Sequence, residues 1–134
     1  MKHYSRLSCL VVAVGILISC MAMQKKAKRV IFFGDSITQA GVRGNGYINQ
    51  LKKTVDSTKF ELLGAGIGGN KVYDLYLRME DDVLNKKPDL VFIYVGINDV
   101  WHKLGAKTGT DYDKYLKFYQ ALVNKIQANG SKVV

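Results

Sequence analysis

The chain has 134 residues, which is enough for one domain and too few for two. With 48% hydrophobic and 23% charged residues it has the composition of a globular protein, which excludes the disordered and fibrous classes. Its formal charge of +9 suits an acidic partner, but the Lys and Arg residues are scattered singly and in pairs, which favours an ordinary solvated basic surface. The sequence has no zinc spacing, no nucleic-acid motif and no internal repeat, so we expect no metal, no cofactor and no nucleic-acid partner.

The first 19 residues have the pattern of a secretory signal peptide. Two basic residues, Lys2 and Arg6, precede an apolar core at residues 10–18, which is the usual order of the n-region and h-region. This core is well short of the roughly 20 residues that a membrane-spanning helix needs. We therefore expect residues 1–19 to direct export and then to be removed.

The apolar core ends in Leu17-Ile-Ser-Cys20, which resembles the bacterial lipobox. In signals of that type the chain is cut before the Cys, and the Cys is then lipidated. The resemblance implies a lipid anchor on Cys20, a tether over residues 20–28 and a location on the membrane, facing the periplasm or the cell surface. The alternative is ordinary cleavage near Ala22, in which case Cys20 is discarded and the protein is freely secreted.

The globular part opens with a strand that leads into a tight turn. Residues 30–33 are β-branched or aromatic and stop at Gly34, which is typical of a buried strand. The following residues 36–40 can begin a helical turn with Ser36 at its N-terminus, where unpaired N–H groups favour a developing negative charge. Two interpretations stay open on these residues alone. Either Asp35 and Ser36 are simply helix caps, or Ser36 stands where open α/β sheets carry their chemistry.

Helices and strands alternate along the rest of the chain. Hydrophobic periodicity predicts helices over residues 47–56, 71–87 and 112–126, and strands over residues 59–63, 90–95 and 131–134. We expect Asn70 to cap the second of these helices, Thr110 with Asp113 to cap the third, and a polar loop to follow Asp99. The alternation predicts an α/β fold with a mostly parallel sheet. Because the chain stops two apolar residues into the fourth strand, we expect it to be a fragment that lacks the C-terminal part of its domain.

Three of the predicted strands end in polar, glycine-bearing turns. These turns are Gly34-Asp-Ser36, Gly66-Ile-Gly-Gly69 and Gly96-Ile-Asn98. The carboxyl ends of parallel strands lie along one edge of a sheet, so the three turns can meet there. Acyl transfer needs a nucleophile together with donors aimed at the developing oxyanion. Ser36 offers a hydroxyl and its own N–H, Gly69 a backbone N–H that a substrate can approach closely, and Asn98 a side-chain amide.

The same three turns resemble the sequence blocks of the SGNH hydrolases, also called GDSL esterases and lipases. The resemblance covers residues 29–134 and implies a flavodoxin-like three-layer α/β/α fold. It implies that Ser36 is the nucleophile and also an oxyanion donor, and that Gly69 and Asn98 complete the oxyanion hole. Asp35 would support these residues without touching the substrate. The implied function is a serine ester hydrolase that removes acyl groups, such as acetyl groups, from a carbohydrate or lipid ester through an acyl-enzyme.

The chain departs from this family at the fourth block. Members carry the catalytic Asp and His in a D-x-x-H motif near the C-terminus, and this chain ends before that point. A literal D-x-x-H is present at Asp99-Val-Trp-His102, but it directly follows Asn98, and one tight turn is a poor place for both an oxyanion donor and an Asp–His pair. We therefore expect His102 to contact substrate or to serve the loop rather than to act as the base. Without a base, the 134-residue chain alone is expected to be inactive.

Two other functions stay open. Gly64-Ala-Gly-Ile-Gly-Gly69 is a literal G-x-G-x-x-G between a strand and a helix, which is a dinucleotide-binding pattern, although that pattern normally lies on the first strand and not the second. The other alternative is a non-catalytic, surface-anchored binding module that keeps the fold and lacks the chemistry. If the substrate is a carbohydrate, Trp101, Tyr47 and Tyr73 are candidates for stacking on sugar rings.

Overall fold

The computed structural model describes residues 26–134. The predicted signal peptide, Cys20 and most of the predicted tether lie outside the described residues. Four strands form one all-parallel sheet: β1 (Lys28–Gly34), β2 (Phe60–Gly66), β3 (Leu90–Tyr94) and β4 (Lys132–Val133). Their spatial order is β2-β1-β3-β4, so β1 lies in the interior of the sheet and is paired on both sides.

Within residues 26–134, five α-helices connect and cover these strands. They are α1 (Ser36–Gly41), α2 (Tyr47–Thr54), α3 (Val72–Asp82), α4 (Ile97–Leu104) and α5 (Tyr112–Ala128), with a 3-10 turn at Leu84–Lys86. Helices α3 and α5 pack on one face of the sheet, and α2 packs on the other. The predicted three-layer α/β/α fold with a parallel sheet is therefore confirmed. None of these helices has the length and apolar character needed to cross a bilayer.

The central strand β1 is buried from both sides. Successive side chains of a strand point to opposite faces, so its apolar residues divide between the two layers of helices. Ile31 and Phe33 are buried in the cluster with α3 and α5, whereas Val30 and Phe32 are buried in the cluster with α2. An interior strand of a parallel sheet needs apolar residues at every position for this reason. Burial of each such side chain stabilises the fold by about 1.5–3 kcal/mol.

The register of β1 brings three strand ends to one level. Gly34 pairs with Gly66 of β2 and with Tyr94 of β3. Only a glycine fits at position 34, because a Cβ atom there would lie 2.3 Å from the Tyr94 carbonyl oxygen and 2.4 Å from Thr38 Oγ1. The turns that follow the three strands therefore leave the sheet side by side.

The segment after β3 differs from the prediction. A polar loop was expected after Asp99, but residues 97–104 form helix α4. Its apolar residues recur at helical spacing: Ile97, Val100, Trp101 and Leu104. These side chains are largely exposed, up to 93% for Leu104, and the Gly- and Lys-rich sequence that follows them favoured a loop.

Two helix starts also differ from the prediction. The N-cap of α3 is Lys71 and not Asn70, and the Lys71 N–H donates to Asp74 Oδ2 at 2.8 Å. Helix α5 begins after Asp111, without a side-chain capping hydrogen bond, so Thr110 does not cap it. Helix α3 thus starts one residue after Asn70, which has the better capping propensity, whereas the N-cap of α5 is Asp111, a residue type that caps at least as well as Thr. Local propensity alone therefore does not set the start of α3.

Candidate active site

The turn after β1 gives Asp35 and Ser36 different environments. Asp35 is fully buried, and its Oδ1 accepts a hydrogen bond from the Ile37 N–H at 3.0 Å, so it is the N-cap of α1. Ser36 is the first residue of α1 and is exposed. Capping is therefore carried by Asp35, and the Ser36 side chain is accessible to a bound molecule.

The loop after β2 lies directly against this turn. A Cβ atom built on Gly68 would lie 3.8 Å from the Cβ of Ser36, and the Ile67 N–H donates to the Gly34 carbonyl at 3.2 Å. Gly69 has a φ of +77°, a conformation that glycine adopts readily and residues with a side chain rarely adopt. The glycine thus lets the chain reverse within the loop and stay next to the Ser36 turn.

The turn after β3 holds the other side of this loop. Asn98 is 6% exposed, and its Nδ2 donates to the Asn70 carbonyl at 3.0 Å. A side-chain amide nitrogen carries two hydrogens, so a second one can be donated to a bound group. The neighbouring Asp99 is 2% exposed, and both of its carboxylate oxygens lie 3.2 Å from the Val72 nitrogen. Two consecutive side chains therefore fasten the start of α3 and the loop before it.

The literal D-x-x-H does not form an Asp–His pair in the described residues. The Asp99 carboxylate accepts the Val72 N–H, and no hydrogen bond within residues 26–134 joins it to His102. The His102 ring lies beside the β2 loop, where its Cε1 would be 3.9 Å from a Cβ atom on Gly69. His102 therefore borders the candidate site without the carboxylate partner that a general base of this type needs.

Lys71 is a second titratable group close to Gly69. Its Nζ donates to the Gly69 carbonyl at 3.2 Å and lies 3.2 Å from Asp74 Oδ2. Burial lowers the pKa of Lys71, but hydrogen bonds and charge interactions with Asp74 and Tyr73 outweigh burial and raise the pKa above its ordinary value. Lys71 therefore stays protonated at neutral pH and cannot take the proton of a serine hydroxyl.

Tyr115 on α5 supports the turn that leads to Asn98. Its hydroxyl donates to the Val95 carbonyl at 3.1 Å. Burial, and then the charges of Tyr119 and Asp99, raise the pKa of Tyr115 above its ordinary value of 10.0. The folded protein thus favours the neutral phenol, which is the form that can donate this hydrogen bond.

We expect the free energy of unfolding to fall in alkaline solution as Tyr115 ionises. Because the pKa of Tyr115 is raised on folding, its contribution to the free energy of unfolding is fully present below the unfolded-state pKa of about 10. That contribution is lost as the pH rises through the higher folded-state pKa. Urea unfolding between about pH 8 and pH 11 should therefore show a smaller fall in the free energy of unfolding for Tyr115→Phe than for the wild type. The matched control is Tyr112→Phe, since Tyr112 is 71% exposed on the same helix. Equal pH dependence in Tyr115→Phe and the wild type would contradict the prediction.

The three aromatic residues expected to stack on sugars do not line one surface. Tyr47 lines a cavity of about 270 Å³ on the α2 side of the sheet, together with Ile37. Tyr73 lines a different cavity of about 340 Å³ between α3 and α5, and Trp101 is 68% exposed on α4. Ile37 directly follows Ser36 in the chain, but Ser36 itself does not line this cavity.

The first two glycines of the G-x-G-x-x-G pattern allow α1 and the residue after it to pack closely on β2. Gly64 and Gly66 lie inside β2. A Cβ atom on Gly66 would lie 2.1 Å from the Gln39 nitrogen, and one on Gly64 would lie 2.3 Å from Val42 Cγ1. Helix α1 and the residue after it therefore occupy the space that these glycines leave. In the part of the chain that the structure describes, no three His, Cys, Asp or Glu side chains come together to hold a metal ion.

Comparison with known sequences relates residues 32–134 to the GDSL-like Lipase/Acylhydrolase family, whose model matches this range. The acetylxylan esterase of Geobacillus stearothermophilus is 33% identical over 114 residues, which cover 74% of this chain and 52% of that protein. The uncharacterized lipoprotein YqeF of Bacillus subtilis (strain 168) is 38% identical over 77 residues, which cover 52% of this chain and 31% of that protein. The chain thus spans about half the length of the first relative and about a third of the second.

Solved structures of related proteins share the fold of this chain. The acetyl xylan esterase AlAXEase matches with a TM-score of 0.75 and 62% identity, over 79% of this chain and 56% of that chain. A catalytic mutant of Axe2, an acetylxylan esterase from Geobacillus stearothermophilus, matches with a TM-score of 0.70 and 29% identity, over 83% of this chain and 60% of that chain. Catalytic mutants of Axe2 replace a Ser, an Asp or a His by Ala, and the Asp stands three residues before the His.

Proposed function

The chain belongs to the GDSL-like lipase/acylhydrolase family, and we propose that it carries the nucleophile and the oxyanion donors of a serine ester hydrolase. The observation that carries this proposal is that three strand-end turns lie side by side and that the first of them exposes Ser36. Gly68 in the loop after β2 lies next to Ser36, and the Asn98 amide donates to Asn70 in the same loop. A hydroxyl flanked by backbone and amide donors is the arrangement that acyl transfer needs.

In the proposed reaction the Ser36 Oγ attacks the carbonyl carbon of an ester while a base takes the hydroxyl proton. The carbonyl oxygen becomes an oxyanion, which accepts hydrogen bonds from the N–H groups of Ser36 and Gly69 and from Asn98 Nδ2. The tetrahedral intermediate then expels the alcohol, to which the base returns the proton, and the acyl group stays on Ser36. A water molecule attacks this acyl-enzyme in the same way and releases the carboxylic acid.

The base is proposed to be a His oriented by an Asp, both supplied from outside residues 26–134. Among the described residues, Asp99 accepts the Val72 N–H and the ammonium group of Lys71 keeps its proton. The catalytic mutants of Axe2 at a Ser, an Asp and a His support a base of this kind. A serine hydroxyl without a base is a poor nucleophile, so turnover is expected from the product of the full reading frame and not from residues 26–134 alone.

The proposed substrate is an acetylated carbohydrate. Two relatives are named acetylxylan esterases, which favours a carbohydrate acetyl ester over a lipid ester. The proposed location is the membrane, facing the periplasm or the cell surface, with the protein anchored through a lipid on Cys20, and the relative named as a lipoprotein supports this anchor. Such an anchor would hold the enzyme where extracytoplasmic polysaccharides are met.

The function is tested with the purified product of the full reading frame. We expect hydrolysis of 4-nitrophenyl acetate and release of acetate from acetylated xylo-oligosaccharides. A fluorophosphonate probe should label the protein once, and peptide mass spectrometry should locate the label on Ser36. Labelling of a different residue would reject the nucleophile assignment. A folded protein that neither turns over these esters nor reacts with the probe would favour the non-catalytic binding module.

We expect Gly69→Ala to affect stability and activity, but a control variant to affect stability alone. An Ala at a φ of +77° is strained by about 1–2 kcal/mol, and relaxation of that strain would move the N–H that donates to the oxyanion. Gly130→Ala is the matched control, because Gly130 has a φ of +90° with open space around it and follows α5. Chemical unfolding and esterase assays should show similar losses of stability and a loss of kcat confined to Gly69→Ala. Equal kcat values in the two variants would contradict the role of Gly69.

A further inference from the structure

The guanidinium group of Arg78 connects separate parts of the site from inside the protein. The Arg78 side chain is 16% exposed, and its Nε donates to Asn70 Oδ1 at 2.7 Å. Its Nη2 donates to the Gly34 carbonyl at 2.8 Å and to the Ala65 carbonyl at 3.1 Å. Its Nη1 donates to the Asp82 carboxylate. Four of the five N–H donors of a guanidinium group are therefore engaged.

The buried ring of Phe33 fixes the plane of this group. The Arg78 Cζ lies 4.6 Å from the centroid of the Phe33 ring, and Phe33 is fully buried. An arginine over an aromatic face is held by attraction to the ring as well as by its hydrogen bonds. Asp82, four residues along the same helix, balances the charge of Arg78. The guanidinium group therefore has a fixed position and orientation, and its charge is balanced by Asp82.

Apart from Asp82, the residues that accept hydrogen bonds from Arg78 lie in β1, in β2 and in the loop after β2. These segments lead to Ser36 or carry Gly69. Gly34 is the last residue of β1 and is followed by Asp35 and Ser36. Ala65 is the last but one residue of β2, and Asn70 directly follows Gly69. The Asn70 carbonyl in turn accepts the Asn98 amide. One cation thus contacts the nucleophile turn and the oxyanion loop, and reaches the Asn98 amide through one further residue.

We propose that Arg78 is a positioning residue that holds the Ser36 turn and the Gly69 loop at the spacing that the reaction needs. This inference rests on the proposed function of the same site. A lysine cannot replace this arginine, because its three donors radiate from one nitrogen, whereas the planar guanidinium donates in several fixed directions. A misplacement of about 1 Å between reacting groups can lower the rate by about 100-fold.

Arg29 provides a matched control at the opposite end of the sheet. It is also a partly buried arginine, with a side chain 27% exposed. Its Nε donates to Glu61 Oε2 at 2.7 Å, and its Nη1 donates to the Lys86 carbonyl. Arg29 lies near the amino end of β1, so its substitution disturbs comparable contacts away from the site.

The kinetic test compares Arg78→Lys with Arg29→Lys in the product of the full reading frame, below the melting temperature of both. We expect kcat for 4-nitrophenyl acetate to fall by about 100-fold in Arg78→Lys with KM within about twofold of the wild type, and kcat to be unchanged in Arg29→Lys. Added methylguanidinium should restore part of the kcat of Arg78→Ala, and methylammonium should not. Equal kcat values in the two lysine variants, or equal rescue of Arg78→Ala by methylguanidinium and methylammonium, would overturn the inference.

Hydrogen exchange tests the same inference without catalysis. The Ile67 N–H donates to the Gly34 carbonyl, and the Asn70 N–H donates to the Ile67 carbonyl. Both amides should exchange at least about tenfold faster in Arg78→Lys and at the wild-type rate in Arg29→Lys. Unchanged exchange in Arg78→Lys would reject the positioning role. If the wild type shows no esterase activity, the proposed function fails and these exchange rates still decide whether Arg78 orders the loop.

Discussion

Ser36→Ala is expected to lower ester hydrolysis by at least about 1,000-fold, because it removes the atom that would form the acyl-enzyme. The remaining donors would still bind the carbonyl oxygen, so a small residual rate over water is expected. The fold should be unaffected, because Ser36 is exposed and the capping hydrogen bond of α1 belongs to Asp35. The measurements are kcat with 4-nitrophenyl acetate and the melting temperature of the same sample.

The control for this variant is Ser57→Ala. Ser57 is an exposed serine in the turn before β2, at the opposite edge of the sheet from Ser36. It should retain the wild-type kcat, whereas Ser36→Ala should lose it and should also fail to react with the fluorophosphonate probe. Wild-type turnover by a folded Ser36→Ala variant would show that another residue is the nucleophile.

Asn98→Ala is expected to lower kcat by about 100- to 1,000-fold with little change in KM, because a donor to the oxyanion acts mainly in the transition state. The same amide also donates to the Asn70 carbonyl, so the variant loosens the loop that contains Gly69. Asn98→Asp should be at least as impaired, because a carboxylate of the same size repels both the oxyanion and that carbonyl. The measurement is kcat and KM with 4-nitrophenyl acetate.

The matched control is Asn124→Ala. Asn124 is an exposed asparagine on α5 whose Oδ1 accepts a hydrogen bond from Gln120 on the same helix. It should keep the wild-type kcat and KM. A KM effect without a kcat effect in Asn98→Ala would instead assign the amide to binding of the ground-state ester.

The sheet and its three turns were predictable because each follows from a local pattern. Residues 30–33 are apolar at four successive positions, as an interior parallel strand requires, and they occupy the centre of the sheet. Gly34, Gly69 and Asn98 each follow such a run or its glycine-rich end. Parallel pairing then brings the ends of these strands to one edge without further information from the sequence.

The residues that were not predictable act over long separations in the chain. Asp99 accepts the N–H of a residue 27 positions away, and Arg78 donates to the carbonyl of a residue 44 positions away. The residues next to Asp99 and Arg78 in the sequence do not indicate these contacts. Asp99 follows Asn98 and suits the first turn of a helix, and Arg78 stands between Leu77 and Met79 like any polar residue of a helix. Their roles arise from the packing of α3 against the strand ends, which no single segment of sequence describes.

The equal level of Gly34, Gly66 and Tyr94 in the sheet determines where the chain tolerates a change in length. Connections that enter the amino ends of the strands, such as residues 55–59 before β2, lie away from the three turns and can be longer or shorter without moving them. Connections at the carboxyl ends have no such freedom, since one added residue between Gly66 and Asn70 would shift every donor in that loop. We therefore expect homologous chains to differ in length, and inserted tags to be tolerated, in the connections at the amino ends of the strands.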